Sequence, residues 1–179
     1  MQAHSEESSR KNLNLVALFA AFSIFLSTIE YLIPRPLPFF RLGLANLPIL
    51  IALDIMEPQF VILLIALKAL TSGLINGTLF SYIFLFSFTG SFGSGIVMLA
   101  LWKIGKNRIS LIGVSMLGAL SSNLVQLLLA GRLVVGEGIW LIGPPFLIAG
   151  FITSILLGFF AIRFSNTSDW FKALKGNIR

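Results

Sequence analysis

Long apolar blocks, separated only by brief polar or proline- and glycine-containing breaks, occupy the chain from residue 13 to residue 164. They decide what it can fold into. A helix needs about 20 mainly apolar residues to cross roughly 30 Å of hydrocarbon, and the blocks leave room for about six such helices. Of the 179 residues 56% are apolar and 11% charged, with a mean hydropathy of +0.94, far from the balance of a soluble domain. The expectation is an all-α integral membrane bundle of six transmembrane helices, with no segment left for a separate catalytic domain.

The breaks set the layout. Residues 1–12 read as a short polar, disordered tail, and the first helix as residues 13–33, ended by Pro34, Pro36 and Pro38. It has no A-x-A-like cleavage site, so it reads as a retained helix and not as a signal peptide. A short second helix, 42–55, carries Pro48 and is expected to kink or cross partially. A turn with Asp54, Glu57 and Pro58 precedes helix 59–75, which holds Lys68 near its middle, and Asn76 with Gly77 marks the next turn. Helices 79–102 and 109–130 flank a basic loop of Lys103, Lys106 and Arg108. A connection over 131–145, with Arg132 and Glu137, leads to helix 146–164 and a basic tail, 165–179.

Charge orients the bundle. With both termini cytoplasmic, the inner side holds Arg10, Lys11, Lys103, Lys106, Arg108, Arg163, Lys172, Lys175 and Arg179, and the outer side Arg35, Arg41 and Arg132. Nine against three follows the positive-inside rule for six crossings with both termini inside. The formal charge of +6 is scattered over helix ends and forms no basic face with interleaved aromatics, so nucleic acid is not an expected partner.

Several chemistries lack their residues. There is no cysteine, and His4, the single histidine, lies in the polar tail, which leaves neither a thiolate nor a histidine-built metal site. Gly90, Gly93 and Gly95 lack the Gly-Lys-Ser/Thr ending of a phosphate loop and sit within an apolar helix. Prenyl transfer that ionises a diphosphate uses clustered aspartates to hold magnesium, whereas Asp54 and Asp169 stand far apart. A serine nucleophile would lack a histidine base. The chain is expected to be no enzyme, to carry no cofactor, and to draw the energy for any active transport from elsewhere.

Ionisable and amide side chains at membrane depth are costly and tend to mark substrate paths. Here they gather in the outer half: Glu30 ending the first helix, Arg41 and Asn46 opening the second, Ser72 and Asn76 closing the third, and Asn123 with Gln126 on one face of the fifth. Lys68 lies just below, sharing a face with Ser72. Arg35, Arg41, Lys68 and Arg132 outnumber Glu30 and Glu137, which suits an anionic small-molecule ligand. The alternative is structural: Glu30 pairing with Arg41 or Lys68, Arg35 snorkelling to lipid headgroups, and Asn123 and Gln126 joining helices. Ala17 and Ala21 form a small-xxx-small pair, as do Gly73 with Gly77 and the run Gly150, Ser154, Gly158. Spacing alone favours packing within the chain for all of them.

The stretches PLPFFRLGLANLPILIAL and GVSMLGALSSNLVQLLLA resemble the bacterial Gx transporter family, long labelled heptaprenyl diphosphate synthase component I. The resemblance covers residues 13–164; its most specific pieces are Arg41-Leu-Gly43-Leu-Ala-Asn46 and Asn123 with Gln126. Members often have histidine where this chain has Ser122. That family in turn is similar to the substrate-binding S components of energy-coupling factor transporters. The resemblance implies capture of a vitamin-like molecule, a loop after the first helix that covers the ligand, here residues 34–41, and association with a transmembrane coupling subunit and cytoplasmic ATPases. It also implies that Ala17 and Ala21 match an AxxxA docking motif. The expected ligand is a small anionic or amphipathic metabolite (a flavin, a vitamin, or an isoprenoid or quinone precursor) held by Arg41, Asn46, Lys68, Ser72, Asn123, Gln126 and Glu30. The older label implies instead a membrane subunit associated with heptaprenyl diphosphate synthesis.

Overall fold

The computed structural model describes residues 2–33, 43–105 and 108–178, with side chains from residue 9 to residue 176 within those stretches. The described chain is all-helical: α1 (Gln2–Leu32), α2 (Leu47–Ala52), α3 (Pro58–Ile75), α4 (Tyr82–Gly105), α5 (Leu111–Ala130), α6 (Ile139–Thr167) and α7 (Asp169–Ile178). A 3-10 turn, Leu44–Asn46, leads into α2, and a π-helical turn, Gly131–Val135, with a 3-10 turn, Gly136–Gly138, joins α5 to α6.

Four helical runs are long and apolar enough to cross a membrane: Ser9–Leu32, Pro58–Ile75, Tyr82–Gly105 and Leu111–Thr167. The last has 57 residues and doubles back. Gly150 packs on Asn123, Ser115 donates to the Ser154 carbonyl at 2.8 Å, and Gly158 packs on Ile112, so α5 and α6 are antiparallel. The same test, with Ile65 against Gly95, Lys68 bonded to Ser91, Gly118 against Met98 and Gly90 against Gln126, makes α3 antiparallel to α4 and α4 to α5. Ser27 of α1 bonds Ser72 of α3, while Leu15–Ala20 share a core with Val61 and Ile65, so α1 runs parallel to α3. The chain between them must therefore return along the bundle, and α2 lies on that return.

Local signals explain most boundaries. Pro58 occupies the first turn of α3, where its missing N–H costs nothing. Gly77, at φ 66°, closes α3: Thr78 N–H bonds the Gly73 carbonyl at 2.9 Å and Gly77 N–H the Leu74 carbonyl at 3.2 Å, the paired bonds of a Schellman cap. Ser110 caps α5 by accepting from Gly113 N–H at 3.2 Å.

Four expectations are corrected. The second helix is a six-residue α-helix behind a 3-10 turn, and Pro48 sits in its first turn, starting the helix instead of kinking it. At 1.5 Å per residue it spans about 9 Å, too short to cross alone, yet every residue in it is buried. The polar N-terminal segment continues α1 as helix from Gln2. The connection over 131–145 is almost wholly helical, with Pro144 and Pro145 inside α6. The basic C-terminal tail forms α7, whose Phe171 is 1% exposed and packs edge-on against Phe164, while Lys175 bonds Asp54 at 2.5 Å. Trp170, Phe171, Leu174 and Ile178 recur at helical spacing, so the pattern of an amphipathic helix is present in the segment's own sequence.

The main core lies at the end of the bundle that holds α7 and the Asp54 turn. Ile49, Leu50, Val61, Leu64, Met98 and Val114 are each at most 1% exposed there. Lys103, Arg108, Arg163, Lys172 and Lys175 belong to this basic end, and the Gly77 and Gly131–Gly138 turns to the opposite one. Large apolar side chains such as Phe25, Leu128, Leu156 and Phe159 face outward, as lipid-facing positions require.

Candidate functional site

Five of the residues singled out in the sequence line one buried cavity: Glu30 from α1, Asn46 from the 3-10 turn, Lys68 from α3, and Asn123 and Gln126 from α5. Four of them are at most 5% exposed, Glu30 4%, Lys68 3%, Asn123 5% and Gln126 2%, and Asn46 is partly buried. Lys68 is ten residues into α3, about 15 Å from the basic end at 1.5 Å per residue, so these groups sit at membrane depth.

Backbone geometry brings them together. Gly43, at φ 83°, turns the chain back toward α1 and donates its N–H to Glu30 Oε1 at 3.0 Å. A residue with a Cβ is strained in that conformation. The following turn delivers Asn46, whose Oδ1 accepts from Lys68 Nζ at 2.5 Å; Lys68 also donates to Ser91 Oγ of α4 at 3.2 Å. On α5, Gln126 Nε2 donates to Ser122 Oγ at 3.0 Å, one helical turn away. Gln126 Oε1 is buried with no hydrogen-bond partner, and Asn123 makes no side-chain hydrogen bond among the described residues. Gly150 of α6 lets the Asn123 amide reach the cavity, since a methyl at Gly150 would overlap Nδ2 and come within 3.0 Å of Cγ.

The arrangement offers a cation, donor and acceptor amides, and a carboxylate inside an apolar bundle, groups that can pair with the polar parts of a buried ligand. The cavity itself is about 20 Å³, room for about one water molecule. A whole metabolite therefore fits only when a wall moves.

Ser72 does not join the set: its hydroxyl is paired with Ser27, and it accepts from Asn76 at 3.4 Å. Arg41 lies outside the described residues, as do Arg35, Lys106 and the proposed lid over residues 34–41. Ser91, Ser122 and Gly150 line the cavity without having been singled out as ligand contacts. Ser91 with Ser87 and Ser94, buried on one side of α4, was the available signal. Ala17 and Ala21 are exposed, on a face of α1 that also shows Leu18 and Phe22. Packing within the chain is thus set aside for this pair. The Gly150, Ser154, Gly158 run is buried against α5, as packing predicted.

The family described as heptaprenyl diphosphate synthase component I matches residues 19–164. The chain belongs to this family. The match spans every residue that lines the cavity, and includes Ala21 but not Ala17. No curated protein and no solved structure matches the chain significantly. For a member of the heptaprenyl diphosphate synthase component I family, the whereabouts of aspartate matter: Asp54 is bonded to Lys175, and Asp169 is paired with Lys172 at 3.5 Å on the surface. Both are at the basic end, away from the cavity.

Proposed function

We propose that this chain is the substrate-binding membrane subunit of an energy-coupling factor type uptake system, taking in a small anionic or amphipathic metabolite such as a flavin, a vitamin, or an isoprenoid or quinone precursor. The observation that carries this reading is the convergence of Glu30, Asn46, Lys68, Asn123 and Gln126 on one buried cavity. Buried ionisable groups at that depth are expensive, and where they occur they commonly mark a substrate path. In this reading the chain crosses a bacterial cytoplasmic membrane six times with both termini inside, the return past α2 supplying the second crossing. Arg41, read from the sequence as a ligand contact, adds a second cation in this reading, and the chain has no catalytic role. The exposed Ala17 and Ala21 dock a transmembrane coupling subunit, and ATPases bound to that subunit drive release inside.

The test is mass spectrometry of ligand extracted from the purified protein. A stoichiometric metabolite that is lost with Lys68→Met is expected; a preparation that carries and binds none of the candidate classes would refute the proposal. Leucine at both Ala17 and Ala21 is expected to abolish co-purification with a coupling subunit and its ATPases. The family description favours a second reading, a non-catalytic membrane subunit in heptaprenyl diphosphate synthesis. Prenyl chain elongation that depends on adding this protein would establish that role.

A further inference from the structure

A second, larger cavity of about 470 Å³ opens where α5 and α6 diverge toward the hairpin tip. The π-helical turn widens the end of α5, and Gly131, Gly136 and Gly143 contribute no side chains to fill the space. Its long walls are Leu124, Leu127, Leu128, Pro144 and Leu147, and Arg132 and Glu137 stand at one end beside Trp140, which is 83% exposed. Among the described residues neither Arg132 nor Glu137 has an ion-pair partner.

From Leu124 to Arg132 is eight residues, about 12 Å along a helix, close to the roughly 15 Å half-thickness of a bilayer's hydrocarbon. Trp140 marks the interfacial level, where aromatic rings of this kind collect. A groove running from that level to near the midplane has the length and the apolar lining for a single acyl chain. The two charges at its mouth then define the headgroup. A guanidinium takes a phosphate through paired N–H bonds, and a carboxylate takes an ammonium that still carries its protons. An anionic headgroup alone would meet Arg132 but be repelled by Glu137.

We propose that this groove is a specific site for a zwitterionic aminophospholipid of the phosphatidylethanolamine type, with its phosphate on Arg132, its ammonium on Glu137 and one acyl chain between α5 and α6. Native mass spectrometry of the full chain, with phosphatidylethanolamine, phosphatidylglycerol and phosphatidylcholine supplied in equal amounts, tests it. Retention of phosphatidylethanolamine above the other two is expected. Arg132→Gln should lower that occupancy about tenfold, the size of one charge-assisted hydrogen bond. Glu137→Gln should erase the preference over phosphatidylglycerol, and Leu124→Trp should reduce retention of all three lipids. Arg132 and Glu137 are exposed, so their substitution leaves the fold intact, as size-exclusion profiles would register. Equal retention of the three lipids by the unaltered protein, or no change with Arg132→Gln and Glu137→Gln, overturns the proposal. So does a change of oligomeric state with Leu124→Trp in place of lipid loss, which would give the groove to a protein partner.

Discussion

Gly150 and Asn123 show how little room the cavity residues have. The nearest obstacle to a methyl at Gly150 is the end of a flexible amide, so Gly150→Ala should shift the melting temperature little while turning Asn123 out of the cavity. Ligand retention is expected to fall about tenfold, the size of one lost hydrogen bond to a polar group. Lys68→Met behaves differently. It removes only one member of the buried polar cluster, taking the donor from Asn46 Oδ1 and the cation from the cavity that Glu30 also lines, so the melting temperature should fall together with ligand retention; full retention of ligand would remove Lys68 from the site. Asn46, Lys68, Asn123 and Gln126 could be read from the sequence because polar residues are conspicuous in apolar helices. Gly150 could not: its part depends on which helix faces α5, and composition does not encode that neighbour.

At the scale of elements, the long apolar helices were legible and the short or polar ones were not. α2 is six residues, and its identity as a buried segment depends on the helices around it. α7 carries its apolar residues at helical spacing among charges, a fainter cue than a long apolar run, and Phe171 anchors it in the core. Phe171→Ala should cost about 3–5 kcal/mol where its cavity cannot close and should expose α7 to proteolysis near Lys172 and Lys175, with the membrane core remaining intact. Gly158→Ala tests a different join. A methyl there would come within 2.6 Å of the Ile112 Cα, which is backbone and cannot swing away. The expected loss is about 1–3 kcal/mol, read as a lower melting temperature in detergent, against the near-neutral result at Gly150.

For the whole molecule, the basic end gathers Lys103, Arg108, Arg163, Lys172 and Lys175, and the far end has Arg132 alone among the described residues. The absence of cysteine makes single-cysteine labelling in intact cells direct. Glu137→Cys should react with an impermeant reagent from outside, and Arg108→Cys only after permeabilisation. Labelling of both from outside would reject the six-crossing topology.

The glycine contacts also divide the bundle into two bodies. Gly95 on Ile65, Gly118 on Met98 and Gly158 on Ile112 interlock α3, α4, α5 and α6 into a slab, at near-backbone distance over the half of the bundle nearer the basic end. Against it rests a second piece, α1 with the stretch from Gly43 through α2, which meets the slab at the cavity through the Lys68 to Asn46 hydrogen bond and beside it through the Ser27 and Ser72 hydroxyls. At the cavity the seam between these bodies is polar, while toward the basic end the same two pieces share an apolar core in which Val16, Phe19, Ile49 and Leu50 meet Val61 and Ile65. Parting it at the cavity would separate Glu30 and Asn46 from Lys68, Asn123 and Gln126, so in the proposed transporter the joint that admits a ligand is the one whose two faces recognise it.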